Sequence, residues 1–520
     1  MGLETSKRAI LTQSVAMQTL GHNIANAATE GYSRQRVNVT ATRPIEAPGM
    51  TKSTAPGQIG TGVQYDSITR IRDSYLDLQY RRENQSLASY DIISSTLSSI
   101  EGIINEPSET GLSSVMNKFW DSLEVLNRDP RLLSARINVV GAAVNFTDTL
   151  QHIGKTLQDL GSDIDNNITA KVGEANVLIQ GIAQLNDFIR HVEATGDNAN
   201  DYRDQRDLLV DKLSTIVDVQ VTETPDGGYS VTSAGVQVVS NGTATELTAD
   251  AAENATAGQL HGYQASKDEV AHVQNQMNAM VSTLVTGEAK VTLSNGYVTS
   301  SAITAENDVT LENGTLIPAG STIPAGSRIA SEAIIKVNGF NGLHALGYTL
   351  TDPMQTGVPF FVTSDGSSTF DIMNIRVNPD IQNDTNLIAA SGKYETVGTT
   401  NQTIKGNSDI AIALARLRDN VFTYPSGMTN LSSGTTDDYF RAVTSELGDR
   451  SANAQRNLNN QQQLVDSVNI RRQSVSGVSL DEEMADMIKF QHAYNAAARN
   501  MTVVDEMLDR IINGMGTVGR

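Results

Sequence analysis

The fold of this protein is decided by residues 479–514, SLDEEMADMIKFQHAYNAAARNMTVVDEMLDRIING. Ser479 followed three residues later by Glu482 forms a capping-box pattern, and the acidic residues beside it favour a helix start. Apolar residues then recur at spacings of three and four, which predicts one long helix with a heptad stripe, ended at Gly514. The stripe consists of Leu480, Met484, Met487, Tyr494, Ala498, Met501, Leu508 and Ile512, with polar Gln491 and Asp505 at two of its positions.

A second amphipathic helix is predicted at the opposite end of the sequence, over Leu3 to Ala28. Apolar residues repeat there every seven positions, at Leu3, Ile10, Met17 and Ile24, with Leu20 beside them. A one-sided apolar stripe needs a partner, so the two helices either pack on an ordinary core or pair and drive polymerisation. On the second interpretation, the predicted assembly interface is Leu3, Ile10, Met17, Leu20, Ile24, Met484, Met487, Gln491, Tyr494, Ala498, Met501, Leu508 and Ile512.

Composition excludes several classes of function. The 520 residues include 38 basic and 59 acidic ones, a formal net charge of −21, which argues against nucleic acid or an anionic membrane as partner. There is no cysteine, so disulfides and thiolate metal sites are excluded. No apolar run is long enough to span a membrane, and the N-terminal residues lack a signal-peptide pattern.

The pattern of apolar residues changes period twice along the chain. Helical spacing runs from Leu76 to Val192, short alternating segments with Gly, Thr and Asn between them run from Ile216 to about Val397, and helical spacing returns from Ile410 to Val475. Within the alternating region we predict one helix, over Lys267 to Leu284. A tandem repeat, PAGSTI then PAGSRI at 318–329, predicts a hairpin or a β-roll turn.

We therefore predict an α+β multidomain protein, in which both termini build a long coiled-coil-like helical rod and the middle forms a β-rich insertion. The expected domains are residues 1–40 with 478–520 as a terminal paired-helix core, 41–215 with 400–477 as a helical rod, and 216–399 as one or two β-rich subdomains. Residues 203–211 form a charged helix whose charges we expect on a solvated face or in weak local ion pairs.

Two short motifs carry a resemblance to a known family. Asn23-Ile24-Ala25-Asn26 followed by Thr29-Glu30-Gly31-Tyr32 resembles the N-terminal signature of the flagellar axial proteins, the rod, hook and hook-associated proteins. Residues 483–508 are similar to the C-terminal signature of the same family. The continuation Tyr32-Ser33-Arg34-Gln35 and residues 202–211 are most similar to the members at the junction of hook and filament.

The resemblance implies a structural adaptor that assembles as a ring between hook and filament, or alternatively a hook or distal rod subunit. It also implies contacts with the hook protein and with hook-associated protein 3, and a cytosolic export chaperone at the C-terminal region. Placement outside the cell, after export through the flagellar type III apparatus without a cleaved signal, is expected on the same basis. Nothing in this resemblance calls for a membrane or nucleic-acid partner.

Evidence for an enzyme is thin. The seven histidines are scattered, and neither HExxH nor GxSxG occurs. We expect no catalytic residue, no metal and no cofactor. A hydrolase, or an adhesive or carbohydrate-binding module, within 216–399 stays open as an alternative, although the sequence there shows no run of clustered aromatic residues.

Overall fold

Helices dominate the computed structural model, which describes residues 2–44 and 60–514. The described ranges contain α1 (Gly2–Ala25), α2 (Ser74–Ile104), α3 (Leu112–Arg128), α4 (Leu133–Glu193), α5 (Asn200–Ile216), α6 (Ala251–Asn254), α7 (Gly258–Thr286), α8 (Gly339–Ala345), α9 (Pro379–Asn383), α10 (Asp409–Arg416), α11 (Thr436–Ser476) and α12 (Leu480–Gly514).

The strands are short and pair almost entirely in antiparallel two-stranded sheets. They are β1 (Gln35–Ala41), β2 (Val63–Arg70), β3 (Val219–Glu223), β4 (Tyr229–Ser233), β5 (Val236–Ser240), β6 (Thr243–Ala244), β7 (Glu288–Leu293), β8 (Ile303–Thr304), β9 (Val309–Thr310), β10 (Leu316–Ile317), β11 (Thr322–Ile323), β12 (Ala333–Asn338), β13 (Phe361–Thr363), β14 (Ile375–Val377), β15 (Tyr394–Val397), β16 (Thr400–Thr403), β17 (Phe422–Thr423) and β18 (Ser433–Gly434). One larger sheet joins β3, β4, β5 and β6 in that order.

The predicted α+β multidomain class is confirmed, with long helices toward both ends and small sheets in the middle. The apolar stripe after Leu133 forms one continuous helix of 61 residues, about 90 Å at roughly 1.5 Å per residue. Helix α7 is longer than the predicted Lys267 to Leu284, and it starts at Gly258, whose φ is +85°. A Cβ at that position would lie 2.7 Å from the backbone of Val217, so another residue would not fit.

Contacts divide the chain into two compact units, and each is described by itself. The first unit comprises the described residues of 1–91, 167–264 and 457–520, and the second comprises 92–166 and 265–456. This division assigns residues 216–264 and residues 265–399 to different units. The three-domain organisation expected from the sequence stays a prediction.

The first unit is built around its helices and the β1–β2 hairpin. Helix α1 packs against α12 and also against β1 and β2. Helix α5 ends at Ile216 and leads into the four-stranded sheet, whose Val231, Val238 and Val239 are fully buried. The change of period at Ile216 is therefore a helix-to-strand transition, as the sequence predicts.

The second unit has an aromatic core that local sequence patterns did not reveal. The ring of Phe119 on α3 lies within 6.4 Å of the rings of Trp120, Phe146, Phe340, Phe360 and Phe361. All six side chains are almost fully buried, so they stabilise a core and do not form a ligand-binding platform. The aromatic residues of the middle region are thus clustered in space although they are dispersed in the sequence.

The tandem repeat of the second unit forms the same turn twice. Ser321 N–H donates to Pro318 O, and Ser327 N–H donates to Pro324 O, at 3.1 and 3.3 Å. The third residue of each turn is a glycine with φ near +80°, the geometry of a type II turn. The first turn joins β10 to β11, but β10 pairs with β9 and β11 pairs with β8. The second turn follows β11. Neither turn closes a hairpin, so the hairpin form of the prediction is wrong.

Candidate functional site

The first and last helices of the described chain form an antiparallel pair. The backbone of Gly2 lies opposite Val504, since a Cβ on Gly2 would come within 2.9 Å of the Val504 side chain. Ser6 Oγ accepts from Asn500 Nδ2 at 3.0 Å, and Asn23 Nδ2 donates to Glu483 Oε2 at 2.8 Å. Small and polar side chains allow this close approach, because the buried residues of α1 include Ser6, Thr12, Ala16 and Thr19.

The predicted interface residues divide into two groups. Those facing the helix pair or its surroundings are buried or half-buried: Leu3, Ile10, Met17, Leu20, Ile24, Met487, Tyr494, Ala498 and Met501. Four others are exposed: Met484, Gln491, Leu508 and Ile512. The face of α12 that meets α1 therefore passes through Glu483, Met487, Tyr494, Met501 and Val504, rotated from the predicted stripe. Whether these thirteen residues form an interface between subunits stays a prediction.

A second apolar face of α12 is open to solvent. Leu480, Met484 and Ile488 are each about half exposed, at 49, 50 and 56%. Further along, an exposed group lies around and beyond the level of Gly2, the first described residue of α1: Val503, Met507, Leu508, Ile511 and Ile512. Adjacent exposed apolar side chains of this kind mark surfaces that associate with other proteins.

A cluster of hydrogen bonds around the fully buried Asn23 holds the end of α1 in place. Its amide Nδ2 donates to Gln35 O at 2.9 Å and to Glu483 Oε2, and its Oδ1 accepts from Gln35 N–H at 3.0 Å. Tyr32 Oη donates to the same Oδ1 at 2.8 Å. Burial, together with the charges of Asp201, Asp204 and Glu483, raises the pKa of Tyr32, so the phenol stays a donor.

Arg34 joins this cluster to the break between α11 and α12. Its backbone N–H donates to Ser476 O at 2.9 Å. Its guanidinium donates from Nε to Glu483 Oε1 at 2.6 Å and from Nη1 to Glu482 Oε2 at 3.0 Å. The first-turn glutamates that favour the helix start therefore bind an arginine from the N-terminal motif. Glu482 faces Arg34 at this distance, whereas the capping box predicted that it would return to Ser479.

Two stretches that are similar to the proteins at the junction of hook and filament lie in contact: Tyr32 to Gln35, and the helix that contains residues 202–211. Both the N–H and the hydroxyl of Ser33 donate to Asp204, each at 2.8 Å, and Gln35 Nε2 donates to Asp201 at 2.7 Å. The prediction of a solvated charged face over 203–211 is wrong, because Asp204, Arg206, Asp207 and Asp211 are buried. The carboxylates are removed from water because arginines from other segments surround them.

Four aspartates and four arginines of the first unit form what we call the aspartate–arginine ring: Asp77, Asp204, Asp207 and Asp211 with Arg70, Arg72, Arg81 and Arg472. Around the ring, the N–O distances are 2.6 Å for Arg72–Asp77, 3.4 Å for Arg72–Asp207, 3.3 Å for Arg81–Asp207, 2.6 Å for Arg81–Asp211, 2.7 Å for Arg472–Asp211 and 3.6 Å for Arg472–Asp77. Arg70 adds contacts with Asp204 at 2.7 Å and Asp207 at 2.9 Å. The exposed fraction of every one of these side chains is 18% or less.

The charges within the ring control the protonation of its members. Burial opposes ionisation of Asp207, but Arg72, Arg70 and Arg81 outweigh it and hold the pKa of that carboxyl far below its ordinary value. Tyr229 Oη donates to Asp207 Oδ1 at 2.8 Å, and burial followed by the Asp207 charge raises the pKa of Tyr229 to about 12. Burial raises the pKa of Asp204, although Arg70 and Ser33 oppose the shift. The ring thus brings four guanidinium groups and four carboxyl groups together.

Sequence reasoning missed the roles of Asn23, Glu483 and the ring. One signal was present, because Asp204, Asp207 and Asp211 at spacings of three and four lie on one helix face. Three acidic residues on one helix face indicate that this face is either exposed to solvent or packed against several cationic side chains. Nothing local in the sequence distinguishes these, since the arginines come from residues 70–81 and from residue 472.

The described part of the chain was compared with the requirements of a metal site and of a membrane-spanning helix. Across residues 2–44 and 60–514, no group of three His, Asp or Glu side chains has the geometry to hold a metal ion. Within the same residues, no helix combines the length and the apolar character needed to cross a membrane.

Comparison with known proteins identifies the class first. Residues 472–514, which include α12, match the family model "Flagellar basal body rod FlgEFG protein C-terminal". Residues 97–361 match "Flagellar hook-associated protein FlgK helical domain". The helix pair thus carries a C-terminal segment of a kind found in flagellar rod proteins, and the chain is a flagellar axial protein.

Full-length relatives then give the particular family. Flagellar hook-associated protein 1 of Bacillus subtilis (strain 168) is 33% identical over 529 residues, covering 100% of this chain and 99% of that protein. Flagellar hook-associated protein 1 of Salmonella typhimurium is 24% identical, covering 96% of this chain and 97% of that protein. A solved structure, of the flagellar hook junction protein FlgK from Burkholderia pseudomallei, has a TM-score of 0.48 and 15% identity, with 78% of this chain and 100% of that chain covered. This chain belongs to the flagellar hook-associated protein 1 family, which consists of structural proteins of the flagellum.

Proposed function

We propose that the protein is a structural adaptor that assembles as a ring at the junction between the flagellar hook and the filament. The proposal rests on the observation that two faces of α12 have different surroundings. One face of this helix holds α1 within the same chain, and another face leaves Leu480, Met484 and Ile488 in solvent. In the assembled ring, the exposed face packs on a neighbouring copy, which removes its apolar surface from water.

Membership of this family supports three further binding partners, which are two flagellar proteins and a chaperone. The ring contacts the hook protein on one side and hook-associated protein 3 on the other, and a cytosolic export chaperone holds the C-terminal region before assembly. The protein lies outside the cell and is exported through the type III apparatus without a cleaved signal peptide. It acts by assembly and performs no chemical reaction.

The assembly proposal is tested by charging the exposed face without disturbing the pair. Ile488→Asp places a charge at a side chain that is 56% exposed in the single chain. Burying a residue of this size stabilises an interface by about 1.5–3 kcal/mol, so we expect at least a roughly tenfold loss of self-association, measured by sedimentation of purified protein. The same variant should fail to restore hook–filament junctions in cells that lack the wild-type chain.

Two matched variants serve as controls for this experiment. Ala496→Asp adds a charge at an exposed position of the same helix that lies off the line of Leu480, Met484 and Ile488, so it should assemble normally. Met501→Asp charges a half-buried residue of the helix pair, so it should disrupt the pair itself and lower the helical signal in circular dichroism. Normal junctions made by Ile488→Asp would refute the proposed role of the exposed face.

A further inference from the structure

We propose that the aspartate–arginine ring is a latch that holds the end of α11, and through it α12, on the rest of the first unit by charge balance. The ring receives its cations from three parts of the chain. Arg70 ends β2 and Arg72 follows it, Arg81 lies on α2, and Arg472 lies on α11. The latch concerns the folded single chain and operates before any partner binds.

Arg472 closes the ring. Its Nη1 donates to Asp211 Oδ2 at 2.7 Å, across 261 residues of sequence, and lies 3.6 Å from Asp77 Oδ1. Its guanidinium also covers the ring of Tyr80, 4.2 Å from the centroid. When α11 is undocked, the four carboxylates of the ring face three of its guanidinium groups, which leaves one negative charge without its partner. Such a charge is strongly unfavourable, so docking of Arg472 restores neutrality.

Release of Arg472 is transmitted to α12 by the contacts of Arg34. The N–H of Arg34 donates to Ser476 O, one turn after Arg472, and its guanidinium holds Glu482 and Glu483 at the start of α12. The docked end of α11 therefore positions the acceptor that Arg34 uses. Loss of the latch loosens the segment from about 469 to 476, which follows the buried Val465 and Val468, and weakens the attachment of α12.

The first experiment removes the charge and keeps the bulk. Arg472→Met retains an apolar stem over Tyr80 but cannot neutralise a carboxylate. In the full chain, we expect the amides of residues 469–476 to exchange hydrogen at least roughly tenfold faster than in the wild type, measured by mass spectrometry. Arg471→Met is the matched control, because Arg471 is exposed and its Nη2 contacts only a neighbouring serine on the same helix, Ser467, at 3.1 Å. That control should exchange as the wild type does.

The second experiment separates charge balance from packing. Asp211→Asn alone leaves an excess positive charge and should also accelerate exchange. Combined with Arg472→Met, it restores neutrality, so the double variant should exchange more slowly than Arg472→Met. Arg472→Lys keeps the charge and should keep most of the protection.

Two results would overturn the latch. A double variant that exchanges as fast as Arg472→Met, or faster, would show that charge balance does not hold α11. Arg472→Lys with the same fast exchange as Arg472→Met would show that packing or bidentate geometry dominates. Circular dichroism of each variant confirms that the remaining helices are folded, so the exchange measurement stays interpretable in every case.

Discussion

At the scale of single residues, Glu482 and Glu483 form a natural comparison, because both accept a hydrogen bond from Arg34 and they differ in burial. Glu483 is 0% exposed at its side chain, and Glu482 is 64% exposed. Both oxygens of Glu483 are acceptors, Oε1 for Arg34 and Oε2 for Asn23. A glutamine has one acceptor oxygen, so it cannot satisfy both donors.

We therefore expect Glu483→Gln to destabilise the start of α12 by about 2–3 kcal/mol, because it leaves a buried donor and Arg34 without their partner. Glu482→Gln removes an exposed contact and should cost at most about 1 kcal/mol. Native-state hydrogen exchange of residues 480–490 measures both. Equal effects of the two variants would contradict the role assigned to the buried carboxylate.

His344, in the second unit, should make the stability of the protein depend on pH. Its ring is fully buried, its Nδ1 donates to Val358 O at 2.6 Å and its Nε2 accepts from Ala389 N–H at 2.9 Å, so the neutral ring is required. Burial lowers the pKa of His344 to about 4 from the ordinary 6.5. The unfolded chain takes up a proton near pH 6.5 and the folded chain only near pH 4, so protonation favours unfolding between these values.

The stability that neutral His344 contributes is therefore complete above about pH 6.5 and is lost as the pH falls toward about 4, by at most about 3 kcal/mol. His344→Gln keeps a donor and an acceptor but does not titrate in this range. Thermal unfolding of the wild type should depend more steeply on pH between 6.5 and 4.5 than that of the variant. Identical slopes would show that another group causes the acid dependence.

At the scale of elements, α12 extends beyond the described part of α1. Gly2 lies opposite Val504, so residues 505–514 pass its level, and Met507, Ile511 and Ile512 are more than half exposed. Few packed neighbours mean low local stability. In the free chain, amides of 507–512 should exchange at least roughly tenfold faster than those of 490–500. Equal protection of both segments would mean that the extension is docked.

The same elements show what the sequence could predict. Helices α2, α4, α11 and α12 were predicted because apolar spacing is a local property that survives in any packing arrangement. The face on which α12 meets α1 was predicted only in part. The contacts of Ser6, Asn500 and Asn23 there were missed, since hydrophobicity ranks these residues low. Small polar residues permit a close helix approach, and their partners lie at the far end of the chain.

The buried charges of α5 were missed for a related reason. Asp207 is surrounded by Arg70, Arg72 and Arg81, which lie about 130 residues earlier in the chain. Charged residues are usually exposed, so the expectation of a solvated face followed the general rule. Asp207 is an exception because it pairs with arginines that are distant in the sequence. The spacing of residues within α5 does not reveal such pairing.

At the scale of the whole molecule, the net charge of −21 opposes association of identical copies. Salt screens this repulsion, with a Debye length of about 10 Å at 0.1 M and about 3 Å at 1 M. Self-association of the wild type should therefore increase between about 0.05 M and about 0.5 M NaCl in sedimentation experiments. Sucrose at the same osmolarity is the control, because it adds no ions. An unchanged degree of association would show that charge repulsion does not limit assembly.

The pairing of α1 with α12 also governs the order in which the chain can finish folding. The contact between Ser6 and Asn500 joins positions 494 residues apart. A ribosome delivers the N-terminal end first, so α1 exists long before its partner does. Short helices without a packing partner are marginally stable in water, and closing so long a loop is slow. Helix α1 is thus synthesised long before α12 but is among the last elements to acquire its final structure.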